Sequence, residues 1–389
     1  MLVWAGRTLV ALVSAAMMAA IGFGWYTYRT ADEHVVRDDV IAAVPVPQHS
    51  VRDLPRTEQN ILLAGLDSRT DTQGNPLPQE VLDTLSAGEA SGEQNTDTMM
   101  VVHIPADPAR KAFAISLPRD SYVDIAGGYG THKLNSAYAR AKNEGASRLR
   151  NEGADKASVE RESTTEGRKN LIATVSALTG LKIDHYAEIN LYGFSEITKA
   201  VGGVPVCLNN PVDDIYSGAR FPAGEQTLKG VNALKFVRQR HGLPNGDLDR
   251  VRRQQAFLAG VASQLFSSGT LTSPTRINAL VEALTKAVVL DRDWDLMTFA
   301  TQAATLTGDH IEFSTIPTGT INLQTPSDGS AVEVDPAEVR AYVQTLLTDP
   351  PPSTQKSRNT TQTSKVVVRK LAQESPEQPI TAGGVPCVN

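Results

Sequence analysis

The run TLVALVSAAMMAAIGFGWYTY, Thr8 to Tyr28, carries no charged residue and constrains this chain more than any other feature. At a rise of about 1.5 Å per residue it spans about 31 Å, the thickness of the hydrocarbon layer, and so predicts a transmembrane helix. No small-residue cleavage site follows it, and Trp25, Tyr26 and Tyr28 stand where an interfacial belt would mark the exit from the bilayer. An uncleaved anchor is therefore preferred to a signal peptide. Arg7 precedes the run and Arg29 and Arg37 follow it, so the basic residues do not decide which side receives the rest of the chain.

Around this helix the chain divides by composition. Residues 1–7 form a short leading segment, and 29–56, containing VPVPQHSVRDLP, read as a polar stalk. Residues 349–389 are rich in Pro, Ser, Thr and Gln, cannot bury a core, and are predicted to form a disordered tail ending near Cys387. One folded unit, 57–348, remains. Within it NILLAGL (60–66), TMMVVHI (98–104), KAFAISL (111–117), HYAEINL (185–191) and ALKFVRQR (233–240) read as strands. They alternate with helical patterns near 168–179, 192–201, 249–266, 274–288 and 335–347, which predicts an α/β domain with helices covering a sheet. The polar stretches 68–96 and 142–168 read as surface loop or exposed helix.

Charge and motif content exclude several classes of function. With 37 Lys and Arg against 43 Asp and Glu, a net charge of −6 and 5% aromatic residues, the chain has neither the basic excess nor the stacking residues of a general nucleic-acid binder. Two cysteines, Cys207 and Cys387, allow one bridge at most and no four-cysteine zinc site. The nucleophile elbow, the P-loop, the dinucleotide fingerprint and the H-E-x-x-H helix are all missing, and the seven histidines are dispersed.

What remains is a set of acids and arginines at predicted strand ends. Asp67 follows NILLAGL and Asp97 precedes TMMVVHI; if those strands pair antiparallel, the two carboxylates share a sheet edge and suit Mg²⁺, which accepts one or two carboxylates beside phosphate oxygens. A turn or cap role for Asp67 and an Asx-turn for Asp97 are the plainer alternatives. Arg119 also lies just past a strand, in SLPRDS. Arg238 and Arg240, two apart, would share one face of a strand. Arg250 and Gln254 fall at i and i+4 near a helix start, where anions are favoured. From Arg238 to Gln254 five arginines meet two aspartates, a local excess of positive charge that marks a focused anion site. A solvated basic helix face is the alternative, above all for Arg252 or Arg253.

The blocks NILLAGLDSRT, NTDTMMVVHI, AFAISLPRDSYVDI with THKLNSAYA, LTGLKIDHYAEINLYGFSEITKAVGGVPVCL and FPAGEQTLKGVNALKFVRQRHGLPNGDLDRVRRQQAFL resemble, in order over about residues 60–258, those of the LytR-CpsA-Psr family. The resemblance implies a single α-β-α sandwich with a central mixed sheet behind the transmembrane helix. It places the amino terminus inside the cell membrane and the catalytic domain outside. It further implies a phosphotransferase that takes a glycopolymer from a polyprenyl-pyrophosphate carrier and joins it by a phosphodiester to peptidoglycan, commonly at the C6 hydroxyl of N-acetylmuramic acid. Asp67 and Asp97 match the acids near Mg²⁺ (or Mn²⁺), and Arg119, Arg238, Arg240, Arg250 and Gln254 the pyrophosphate-binding group. Asp247 matches the acid of the D-x-x-R block. Many members carry Arg where this chain has Asn95, which puts one pyrophosphate contact in question, with Arg69 in the same loop as the candidate replacement.

Further expectations follow. Helices 171–181 and 193–204 are candidate walls of an apolar tunnel for the prenyl chain, ordinary core being the alternative. A Cys207–Cys387 disulfide is expected for an oxidising exterior, fastening the tail to the domain. The Ala-rich sequence and terminal PCVN resemble actinobacterial members, for which arabinogalactan or a related wall polysaccharide is the implied donor. A polyprenyl-pyrophosphate hydrolase and a non-catalytic envelope-binding protein are the alternative functions, and no nucleic-acid partner is expected.

Overall fold

Alternating burial along three neighbouring strands sets the layers. Leu62, Ala64 and Leu66, then Met99 and Val101, then Phe113 and Ile115, pack into one core; the intervening Leu63, Met100, Val102 and Ala114 pack into a second on the opposite face. A sheet apolar on both sides needs a helical layer on each, and both are present.

This computed structural model describes residues 35–41, 58–71, 75–85, 95–107, 109–267, 279, 282–283, 288–303, 311–348 and 379–389. The leading segment 1–7, the predicted transmembrane helix 8–28, most of the stalk, and 349–378 lie outside the described residues, as does most of the predicted helix 274–288. Among the described residues no helix is long and apolar enough to cross a membrane.

In chain order the elements are β1 (Val36–Asp38), β2 (Gln59–Leu66), α1 (Gln79–Leu85), β3 (Thr96–Ile104), β4 (Ala112–Ser116), β5 (Ser121–Ile125) and β6 (Gly130–Lys133). Next come α2 (Ser136–Asn151), α3 (Lys156–Thr179), β7 (His185–Asn190), α4 (Leu191–Ala200), β8 (Val204–Leu208), β9 (Val212–Asp214), β10 (Ala219–Phe221) and β11 (Gly224–Leu228). The chain continues through α5 (Val231–Arg238), α6 (Asp247–Ser267), β12 (Val288–Asp291), α7 (Leu296–Ala303), β13 (Ile311–Thr315), β14 (Leu323–Gln324), β15 (Ser330–Glu333), α8 (Pro336–Thr348), β16 (Ile380–Thr381) and β17 (Cys387–Val388). The main sheet runs β1-β12-β7-β2-β3-β4-β13-β16. It is mixed: β2 is antiparallel to β3 and parallel to β7, and β13 is parallel to β4. Helices α2, α3 and α8 cover one face and α4, α5 and α6 the other.

Four expectations are corrected. The stalk does not extend to residue 56 as a free linker, because β1 joins the sheet edge beside β12 and Val40 is buried in the first core. Arg168, in a stretch read as surface, pairs there with Asp38 at 2.7 Å and with both oxygens of Glu188. Burial opposes the Arg168 charge, yet Glu188 holds its pKa well above the usual range. Second, the tail is not disordered to its end: β16 pairs with β13, and β17 lies parallel to β8, where Cys207 and Cys387 form the expected disulfide. Third, ALKFVRQR is not a strand but the helix α5 as far as Arg238. Its buried residues Ala233, Leu234, Phe236 and Val237 follow helical spacing, which a short apolar run does not distinguish from a strand. Fourth, helices 171–181 and 193–204 lie in the first and second cores respectively, with the sheet between them, so they cannot form two walls of one tunnel.

Candidate active site

The carboxyl ends of β2, β4, β7 and β13 and the amino end of β3 share one end of the sheet. At that end the β2–β3 ladder steps from Gly65–Thr98 to Leu66–Thr96, leaving Asp97 as the extra residue of a bulge. Bulges re-aim side chains; here the Asp97 carboxylate accepts from Arg119 Nη1, just past β4. The Asp67 N–H donates to the Asn95 carbonyl at 3.1 Å, which fixes Asp67 beside the bulge, while its Oδ1 is buried with no hydrogen-bond partner.

The next residue after Arg119 was not singled out in the sequence, although it stands beside that arginine in SLPRDS. Asp120 is buried, with Oδ1 3.3 Å from Lys133 Nζ and 3.7 Å from Arg119 Nε, and Oδ2 3.8 Å from Arg240 Nη2. A single carboxylate thus gathers three cations from three segments. Facing it, Arg250 and Asp247 lie in the first turn of α6, Nη2 to Oδ1 2.6 Å, both buried. Burial pushes the Asp247 pKa up, opposed by Arg250, and Asp120, Arg119 and Arg240 act on it as well. These five residues therefore share one electrostatic field.

The contacts leave much unsatisfied. Of ten buried side-chain polar atoms without a hydrogen-bond partner among the described residues, six belong to Asp67, Arg119, Asp247 and Arg250; three of the six are met only by the ion pairs above, and Asp67 Oδ1, Asp247 Oδ2 and Arg250 Nε have no such partner. Native cores rarely tolerate such groups, so their concentration at one place marks a site shaped for a polar ligand.

The remaining candidates are distributed differently. Arg238 is the half-buried last residue of α5, not a strand neighbour of Arg240. Gln254 is buried and donates from Nε2 to the Val237 carbonyl at 3.4 Å, tying α6 to α5. Arg69 lies half-buried in the loop after β2, where its carbonyl accepts from the Leu77 N–H. Arg253 is not part of a solvated helix face. It is fully buried, donates to Gln239 Oε1 and the Asn389 carbonyl, and packs over the Phe236 ring at 5.1 Å. Burial brings its pKa down to about 10, with Asp249 and Asp214 opposing. Gln239 in turn donates to the His241 carbonyl at 3.2 Å, so Arg253 fixes the segment that carries Arg240.

Among the described residues no group of three or more His, Cys, Asp or Glu is gathered to hold a metal. Asp67 and Asp97 supply two carboxylates, and Asp67 Oδ1 is an oxygen without another partner. That donor set fits Mg²⁺, which fills the rest of its shell with water and phosphate oxygens.

The LytR_cpsA_psr family model matches residues 25–344. The chain belongs to the LytR-CpsA-Psr family. It is 46% identical over 295 residues, 76% of this chain, to the cell wall biosynthesis protein LcpA of Corynebacterium glutamicum. It is 30% identical over 210 residues, 54% of this chain, to the polyisoprenyl-teichoic acid–peptidoglycan teichoic acid transferase TagU of Bacillus mycoides. The matches cover 56% and 59% of those proteins, so this LytR-CpsA-Psr chain spans little more than half their length. Its fold is shared with the solved LytR-Csp2A-Psr enzyme of Actinomyces oris, at 18% identity and a TM-score of 0.55 over 80% of this chain and 96% of the other. The Bacillus subtilis TagV structure aligns at 21% identity and a TM-score of 0.53, over 77% of this chain and all of that one.

Proposed function

We propose that this LytR-CpsA-Psr protein is a membrane-anchored phosphotransferase that moves a glycopolymer from a polyprenyl-pyrophosphate carrier to peptidoglycan, forming a phosphodiester. The observation that carries this reading is the meeting of Arg119, Arg240 and Arg250 around Asp120 and Asp247, with unsatisfied buried atoms among them. Relatives named for cell wall biosynthesis and for teichoic acid transfer support it. Arabinogalactan or a related wall polysaccharide is the polymer proposed, on the resemblance of the Ala-rich sequence and the PCVN segment to actinobacterial members.

Phosphoryl transfer demands in-line positioning and neutralisation of spreading negative charge more than a protein nucleophile. Arg119, Arg240 and Arg250 hold the diphosphate with planar donor forks matched to its oxygens. The acceptor hydroxyl oxygen attacks the phosphorus that bears the polymer, the bridging P–O bond breaks, and polyprenyl phosphate departs. Asp247, whose pKa burial raises, takes the hydroxyl proton. Asp67 and Asp97 hold Mg²⁺ or Mn²⁺, which when bound supplies further charge neutralisation at the phosphate oxygens.

The sheet register supports a site close to the bilayer. Val36 of β1 is level, through Val289 and Glu188, with Ala64 of β2, and β1 runs away from the site end. The chain leaving the proposed membrane helix therefore enters the sheet at the end that carries Asp67. The seven residues from Arg29 to Val35 reach at most about 24 Å, which keeps that end near the headgroups where a carrier diphosphate lies.

The test is incubation of the purified full chain with a lipid-linked wall polymer and solubilised peptidoglycan, followed by mass spectrometry. A phosphodiester-linked conjugate is expected, lost in Arg240→Ala. Release of phosphate without conjugate would identify a hydrolase, and wild-type wall-polymer attachment in cells carrying Arg240→Ala at normal abundance would identify a binding protein.

A further inference from the structure

The β9–β10 hairpin holds two large apolar side chains out into solvent. Ile215 is 76% and Tyr216 73% exposed, at a turn that is tightly fixed. The buried Asp214 accepts from the Tyr216 N–H at 2.9 Å and from the Ser217 hydroxyl at 2.6 Å. Gly218 adopts a φ of +66°, and a Cβ there would meet Lys235 at 3.3 Å. Side chains displayed by a preset turn lose little freedom on binding.

The Tyr216 ring lies against the ring of His241, centroids 4.2 Å apart and planes tilted by 32°. His241 directly follows Arg240, whose guanidinium reaches Asp120, and its carbonyl is held by Gln239, itself gripped by Arg253. The exposed aromatic pair therefore joins the hairpin tip to the segment that carries a proposed diphosphate ligand, through His241 beside Arg240. The C–H face of a sugar ring packs on the electron-rich face of such a ring, much as aromatic edges and cations do. Asp213 and Arg220 form an exposed ion pair beneath the tip, 2.9 Å apart, which favours a polar ligand over the interior of a bilayer.

We propose that Tyr216, backed by His241, is the stacking platform for the sugar ring adjoining the diphosphate. This deepens the transferase reading and rests on it. The ring comes either from the donor polymer or from the peptidoglycan acceptor.

The experiment is calorimetric titration of the full chain in detergent with farnesyl diphosphate, with farnesyl-diphospho-N-acetylglucosamine, and with lysozyme-solubilised peptidoglycan fragments. Tyr216→Ala should weaken one of the two sugar-bearing probes about three- to tenfold and leave farnesyl diphosphate unchanged, while Tyr216→Trp retains wild-type affinity. The probe that weakens identifies the ring as donor or acceptor. Equal weakening of both farnesyl compounds would assign the tip to lipid, and no weakening of either sugar probe would remove it from the site; both outcomes overturn the proposal. Arg240→Ala tests the underlying reading separately, because unchanged farnesyl diphosphate affinity in that variant would remove the diphosphate site itself.

Discussion

Arg119 donates to Asp97 across the bulge that ends the β2–β3 ladder, so a candidate cation ligand is engaged by a candidate phosphate ligand. On the proposed reading, a bound diphosphate would compete for the guanidinium and leave the carboxylate to the cation. Arg119→Ala should therefore lower transfer by about 10²–10³-fold, as for loss of a transition-state donor. Its Mn²⁺ affinity, followed by electron paramagnetic resonance, should hold or rise, whereas Asp67→Asn should lose both. Parallel loss of Mn²⁺ binding and activity in Arg119→Ala would show that the arginine only shapes the cation site.

Asp247 gives the reaction a pH signature. Burial raises its pKa, so the carboxyl stays neutral, and unable to accept a proton, to a higher pH than a free aspartate. The same shift means that its contribution to stability is complete below the unfolded value and is lost as pH rises through the folded one. The value of kcat/KM should climb with pH through the raised pKa and then level. Asp247→Asn should lower kcat and abolish that acidic limb; an unchanged limb in the variant would assign the proton transfer to another group.

Hydrophobic alternation made the strands beside Asp67 and Asp97 legible in the sequence, and their antiparallel pairing, there only a condition, is what the β2–β3 ladder shows. The sequence also exposed the arginines of the last block, since charge of one sign clustered near a helix start has few structural uses. Asp120 stayed hidden because an acid beside an arginine looks like an ordinary surface pair; only its contacts with Lys133 and Arg240, remote in sequence, reveal its role. Arg253 was hidden for the opposite reason. Nothing local predicts that a helix arginine will be enclosed by Phe236, Gln239 and Asn389, one of them from beyond a long polar segment.

The disulfide holds β17 against β8 and closes a sequence separation of 180 residues. Cross-linking limits the unfolded chain, and removing such a bridge typically costs about 2–5 kcal/mol. A Cys207→Ala, Cys387→Ala double variant should shift the urea midpoint downward by a corresponding amount, and reductant should reproduce the shift in the wild type alone. Because Arg253 grips both Asn389 and Gln239, the variant should also bind farnesyl diphosphate more weakly. An unchanged midpoint would mean that β17 docks without help from the bond.

His103 supplies a pH dependence independent of the site. The ring is buried, stacks on Phe113 at 4.6 Å and shares a 2.9 Å hydrogen bond with Asn60. Burial, aided by Arg110, lowers its pKa from 6.5 to about 4, and Glu58 at 3.2 Å from Nε2 does not offset this. Between those values the unfolded chain binds a proton that the folded one refuses, so stability is present above the unfolded pKa and falls as pH drops toward the folded one. At about 1.4 kcal/mol per pKa unit the full loss is at most about 3.5 kcal/mol. Urea unfolding at pH about 7 and about 5 should therefore show a larger drop for the wild type than for His103→Gln, by about 1–2 kcal/mol. Carboxylates that titrate in the same range are common to both proteins and cancel in that difference, so equal drops would mean that His103 titrates in the fold as it does in water.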